Sequence, residues 1–168
     1  HVVGNQLTGS IPSLSGLTAL KSFMVETNQL TGSIPSLSGL TALQVLYVGG
    51  NQLTGPIPSL SGLTALQFFY VGGNQLSGPV PAAPTSLTAG GSNLCSNSLV
   101  SSGNSAIDAA WVTAQSTYYV AGGNWLACQL RVEQTPPQRA DLSGDIPPFI
   151  SQPKAVVISH GYNSNAKI

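Results

Sequence analysis

The 168-residue chain is 42% hydrophobic yet only 6% charged, with five basic residues, five acidic residues and no formal net charge at neutral pH. Phosphate backbones and anionic membranes are captured by clustered Lys or Arg, and the absence of any such cluster excludes nucleic-acid binding. A mean hydropathy of +0.19 argues against disorder, no apolar run reaches the ~20 residues of a membrane span, and no basic stretch leads an apolar core at the amino end, so a mature chain or a fragment is expected.

Lys21 and Glu26 are the only charges before Asp108, and the other eight of the ten lie from there onward. Two segments built on different rules are implied. The first repeats with a period of 23: Asn5, Asn28, Asn51 and Asn74 align, each followed by Gln-Leu, Thr or Ser, and Gly. Periods of this size signal a solenoid. One period runs Leu43-x-x-Leu46-x-Val48-x-x-Asn51-x-Leu53-x-Gly55-x-Ile57-Pro58-x-Leu60-x-x-Leu63. Leu43, Leu46 and Val48 alternate as a short strand with its apolar side inward, while Leu53, Ile57, Leu60 and Leu63 return along the opposite wall. A single coil buries little, so stacked neighbours must supply most of the stability. Gly55 suits a backbone bend, and Pro58 sits where a sheet ladder ends.

Over residues 1 to about 81 this pattern resembles the plant-type leucine-rich repeat, with one residue fewer between Pro and the next Leu. The resemblance implies a right-handed solenoid with a parallel β-sheet on the concave face, short second strands and turns on the convex side, and a small mixed α/β cap. It also implies that Asn28, Asn51 and Asn74 form a structural ladder, each amide bonding the backbone of its own and the adjacent coil. An amide buried at a sharp turn needs such partners.

The concave positions are then Lys21, Ser22, Met24, Glu26 and Thr27 in one coil, Gln44, Val45, Tyr47, Gly49 and Gly50 in the next, and Gln67, Phe68, Tyr70, Gly72 and Gly73 in the third. Met24, Val45, Tyr47, Phe68 and Tyr70 make an apolar and aromatic patch, the composition of a contact surface. The alternative is that a neighbouring segment or a second copy covers them. Hydroxyls also align, as Thr8, Thr31, Thr54 and Ser77, as Ser13, Ser36 and Ser59, and as Thr18, Thr41 and Thr64. Flat ladders of that kind suit ice or glycans; the plainer reading is that hydroxyls keep a charge-poor surface wet.

After Pro81 the repeat decays toward Leu94. A cap is expected at 95–133, because a last coil would otherwise expose its Leu columns. Ser105-Ala-Ile-Asp108 has the form of a helix-start capping box, with Ile107, Trp111 and Ala114 on one side of a short helix. Thr117 to Ala121, a Gly-Gly-Asn turn and Trp125 to Val132 read as a hairpin. Leu94-Cys95 through Trp111 to Cys128 is similar to the carboxy-terminal cap that follows bacterial plant-like leucine-rich repeats. Cys95 and Cys128 are the only cysteines and lack the C-x-x-C spacing of a zinc or redox centre. A structural disulfide is the expected reading, with two buried free thiols as the alternative.

In the tail at 134–168, Leu142-Ser-Gly-Asp-Ile-Pro147 repeats part of the signature. A strand followed by His160-Gly161-Tyr162 resembles the start of the oxyanion loop of α/β-hydrolases, and Val156 to Asn163 is similar to the carboxy-terminal region of pilin-like subunits. No G-x-S-x-G elbow occurs. The function expected is non-catalytic, extracellular recognition or adhesion, secreted or at the cell surface. A protein or glycan ligand would be held by Tyr47, Tyr70 and Phe68 with hydrogen bonds from Gln44 and Gln67. No cofactor or metal is expected. The rival reading is a subunit of a filament or surface assembly that stacks through an uncapped repeat end.

Overall fold

A computed structural model describes residues 2–117 and 124–129. The chain divides into two units, His1–Gln134 and Thr135–Ile168, and every described residue belongs to the first. The tail expectations at 142–147 and 156–163 therefore lie outside the described residues.

The first unit is a stack of short parallel strands, two per coil. Strands β2 (Ser22–Met24), β4 (Val45–Tyr47), β6 (Phe68–Tyr70) and β8 (Ser92–Asn93) form one sheet in that order. Strands β1 (Thr8–Ser10) and β3 (Gln29–Thr31) pair on the other wall, as do β5 (Thr54–Gly55), β7 (Gln75–Pro79) and β9 (Ser98–Val100). The apolar positions of each period meet between the walls: Leu43, Leu46, Val48, Leu53, Ile57, Leu60 and Leu63 are all buried. Each such Leu contributes roughly 1.5 to 3 kcal/mol, but only where a coil lies on both sides. In the first coil, Val2, Leu7 and Leu17 are 43, 41 and 49% exposed, whereas their copies Val25, Leu30 and Leu40 are buried.

The asparagines sit at the corner where one wall turns into the other. Asn28, Asn51 and Asn74 accept the backbone N–H of Leu7, Leu30 and Leu53 in the preceding coil, at 3.1, 3.0 and 3.0 Å. Their amide nitrogens donate backward to Val2, Val25 and Val48 O and locally to Val25, Val48 and Val71 O. The ladder continues beyond the legible repeat: Asn97, 23 residues after Asn74, accepts Leu76 N and donates to Val71 O. Pairing of β7 with β9 likewise carries the solenoid past residue 94, to Val100.

The two walls follow different registers. On the first, Val45 pairs with Phe68 and Phe69 with Ser92, a step of one period. On the second, Thr8 pairs with Gln29 and Thr54 with Gln75, two residues short of a period. The expected flat column of Thr8, Thr31, Thr54 and Ser77 is therefore absent: Ser10 lies opposite Thr31, and Ser77 opposite Ser98.

The cap closes the far end. Helix α1 (Ser105–Ala114) lays Trp111 and Ala114 against the last coil, with Ile107 partly buried. Trp111 is fully buried, donates Nε1–H to Pro81 O at 2.7 Å and lies 5.7 Å from the Phe69 ring. The capping residue is Asn104 and not Ser105: its side chain accepts from Ala106 N and Ile107 N. Asp108 instead accepts from the hydroxyls of Ser101 and Ser102 and from Ser102 N, tying the entering loop to the helix. Trp125–Cys128 is a 3-10 turn, not the second strand of a hairpin, because Asn124 caps it and Ala127 N bonds Asn124 O. The rest of that expected hairpin, 118–123 and 130–132, is outside the described residues. Cys95 and Cys128 are disulfide-bonded.

Candidate recognition surface

Strand centres Leu46 and Phe69 point into the core, so the residues on either side point out. The one-period register brings Ser22, Val45 and Phe68 into one column and Met24, Tyr47, Tyr70 and Asn93 into another. Identical positions on adjacent strands are ~4.8 Å apart, a spacing that lets rings stack. Tyr47 and Tyr70 do so, with centroids 4.4 Å apart and planes 10° from parallel. Such a pair adds about 0.5 to 1.5 kcal/mol beyond its area.

Met24, Val45, Tyr47, Phe68 and Tyr70 thus share one face, as the sequence predicts. They are half-buried and not open, since each is flanked by its counterparts on neighbouring strands. Gln44 and Gln67 stand exposed at the strand entries, their backbone N–H groups donating to Lys21 O and Gln44 O.

Where these strands end, the chain carries Gly49-Gly50 and Gly72-Gly73. Gly50 and Gly73 have φ of +63° and +68°, the left-handed turn that Thr27 and Ser96 adopt at 56° in the flanking coils. Gly49 and Gly72 are glycines for a different reason: a Cβ on Gly49 would lie 2.9 Å from Gly72 O, and one on Gly72 2.6 Å from Asn93 Nδ2. The close packing of the Gly72 carbonyl over Gly49 and of the Asn93 amide over Gly72 borders a hollow of about 210 Å³ lined by Glu26, Thr27, Gly49, Gly50, Tyr70, Gly72 and Asn93. Burial pushes the Glu26 carboxyl above the ordinary carboxylate range. Another hollow, of about 260 Å³, lies between Ser59–Thr64 and Pro81–Ser86 and is lined by small, hydroxyl and apolar residues only.

Among the described residues no group of three or more His, Cys, Asp and Glu could hold a metal ion, and no helix is long and apolar enough to cross a membrane.

A family model for the Leucine Rich Repeat matches residues 42–63, one full coil carrying the ladder residue Asn51. The crystal structure of a TDR receptor is similar at 37% identity with a TM-score of 0.50, over 56% of this chain and 17% of that one. The coils form a leucine-rich-repeat solenoid. The Arabidopsis receptor kinase HAESA, solved with the peptide hormone IDA and the co-receptor SERK1, is 33% identical over 56% of this chain and 16% of its own, with a TM-score of 0.48. The BIR3–SERK2 complex from Arabidopsis thaliana gives 35% identity over 61% and 58%, with a TM-score of 0.45. This chain therefore spans about a sixth of the length of the first two receptors. No curated protein matches.

Several residues that shape the leucine-rich-repeat surface escape a reading of the repeat. Asn97 carries a signal, its spacing from Asn74, but the loss of Leu at Ala83 and Ala89 hides the coil it belongs to. Asn93 and Gln129 carry none, because each acts at a position where the other coils use a different residue type.

Proposed function

We propose that this leucine-rich-repeat segment is a recognition module that binds a protein partner on its concave face, in an extracellular or cell-surface setting, without chemistry of its own. The observation that carries the reading is the one-period register of the concave sheet, which gathers Met24, Tyr47 and Tyr70 in one column beside Val45 and Phe68. Aromatic area on a rigid sheet favours binding because little side-chain entropy remains to be lost. Exposed Gln44 and Gln67 add donors and acceptors at the edge of that area. The likeness to a receptor and the disulfide, a bond that persists in oxidising compartments, support the setting.

The test is capture of partners from an extracellular protein fraction by the wild type and by a Tyr47→Ala, Tyr70→Ala double variant. The reading expects specific partners for the former and their loss in the latter, with an intact thermal transition. Equal capture by both would overturn it.

A further inference from the structure

We propose that the hollow at the end of the concave strands is a binding site for a cationic side chain of the protein partner, with Glu26 as its counter-ion. The inference rests on the concave-face reading and names the chemistry of one contact within it. Glu26 is the only acidic residue in the first hundred positions, and its carboxylate meets no cation or hydrogen-bond donor among the described residues. Lys21 does not neutralise it. Five residues of extended chain, roughly 16 Å, separate the two, about two Debye lengths at physiological ionic strength. Burial already disfavours the charged carboxylate, so a cation brought beside it recovers interaction that water supplies poorly there.

The hollow has the room and the lining for such a guest. At about 210 Å³ the hollow has room for a guanidinium or ammonium head. Its wall at Gly49, Gly50 and Gly72 carries no side chains of its own; the Asn93 amide lies over Gly72 and offers a polar contact beside Glu26. Tyr70 forms part of the wall, and an aromatic ring beside a cation adds attraction of roughly 0.5 to 2 kcal/mol. Divalent metals are poor candidates, since Ca²⁺ takes about six to eight oxygens and one carboxylate supplies two at most. An anionic guest would face the one fixed charge of the hollow with like sign.

The experiment titrates the protein with two capped pentapeptides, identical but for a central arginine or its neutral isostere citrulline, by calorimetry at low salt. The expected result is at least fivefold tighter binding of the arginine peptide, a gap that narrows at 0.5 M salt and vanishes in Glu26→Gln. Glu26→Asp, which keeps the charge on a shorter arm, should retain a reduced preference. Equal binding of the two peptides by the wild type, or a preference that survives in Glu26→Gln, overturns the proposal. If that happens while Tyr47→Ala, Tyr70→Ala still loses the protein partner, the cation site alone has failed; if the double variant keeps its partner, the concave-face reading has failed as well.

Discussion

Replacing Asn74 by Ala removes one rung from the middle of the ladder, and the cost can be worked from what the rung holds. Its Oδ1 is the acceptor for Leu53 N, a group buried in the core, while its Nδ2 donates to Val48 O and Val71 O at 3.0 and 2.9 Å. The two carbonyls are not orphaned by the change: Val48 O keeps Asn51 and Val71 O keeps Asn97. The Leu53 N–H is orphaned, which costs about 1 to 3 kcal/mol, and each weakened carbonyl adds a few tenths, for a total of about 2 to 4 kcal/mol. The same change at Asn28 should cost about 1 kcal/mol or less, because its partners Val2 and Leu7 are over 40% exposed and water can take the place of the amide. Urea and thermal unfolding followed by circular dichroism read both variants against the wild type. Equal losses at the two positions would refute the reasoning, since side-chain burial alone hardly separates Asn28 at 8% from Asn74 at 4% exposed.

The cap offers two further tests. Trp111→Ala should lower stability by about 3 to 5 kcal/mol, whereas Trp111→Phe, which loses the bond to Pro81 O but keeps most of the volume, should lose less; tryptophan fluorescence melts distinguish them. Replacing Cys95 and Cys128 together by Ser opens a loop spanned by 33 residues and should cost about 3 to 4 kcal/mol by chain entropy; amide exchange should show opening concentrated at Leu99, whose N–H Gln129 holds beside Cys128. The two carboxylates of the described residues have opposite pH signatures. Burial raises the Glu26 pKa in the folded state, so its charge opposes folding fully above the folded value and not at all well below the ordinary 4.5. Glu26→Gln should therefore raise the melting temperature at neutral pH, with the gain gone in acid. Bonds from the Ser101 hydroxyl and Ser102 N hold Asp108 low, so its stabilisation is present at neutral pH and lost as pH falls through the folded value. Asp108→Asn should lower the melting temperature at neutral pH and converge with the wild type in acid.

Much of the fold was legible because the period states it repeatedly. The inward apolar columns and the Asn corner recur at the same spacing from residue 20 to residue 80, so each prediction is made several times over. The cap was less legible for a physical reason. Its local signals compete: Asn104 and Ser105 can both cap a helix, and it is Asn104 whose side chain accepts Ala106 N and Ile107 N. Alternation in Trp125 to Val132 resembles a strand, yet Trp125 is drawn into the core and its Nε1–H is satisfied by Asp108 O, which a turn permits. The end of the ladder was invisible altogether. Gln129 takes the corner where the other coils carry Asn, accepting Leu99 N and donating to Leu94 O, from a segment that enters from outside the repeat. A longer amide reaching from an unrelated direction leaves no trace in the period.

The difference between the two walls also supports placing the proposed recognition on the concave side. Sequence periodicity alone treats both alike, since every position recurs at the same interval. On the concave sheet the strand register equals that interval, so equivalent side chains become neighbours and a residue type chosen at one position becomes a column, as Tyr47 and Tyr70 show. On the other wall the register falls two residues short, so equivalent hydroxyls are displaced by roughly 6 to 7 Å along the strand for each coil. A ligand that reads a lattice of identical groups finds none in the Thr8, Thr31, Thr54 and Ser77 series. A partner that reads a continuous strip finds one on the concave side alone. The proposed contact strip adjoins the hollow lined by Gly49, Gly72 and Glu26, where a row of like residues gives way to a single charge.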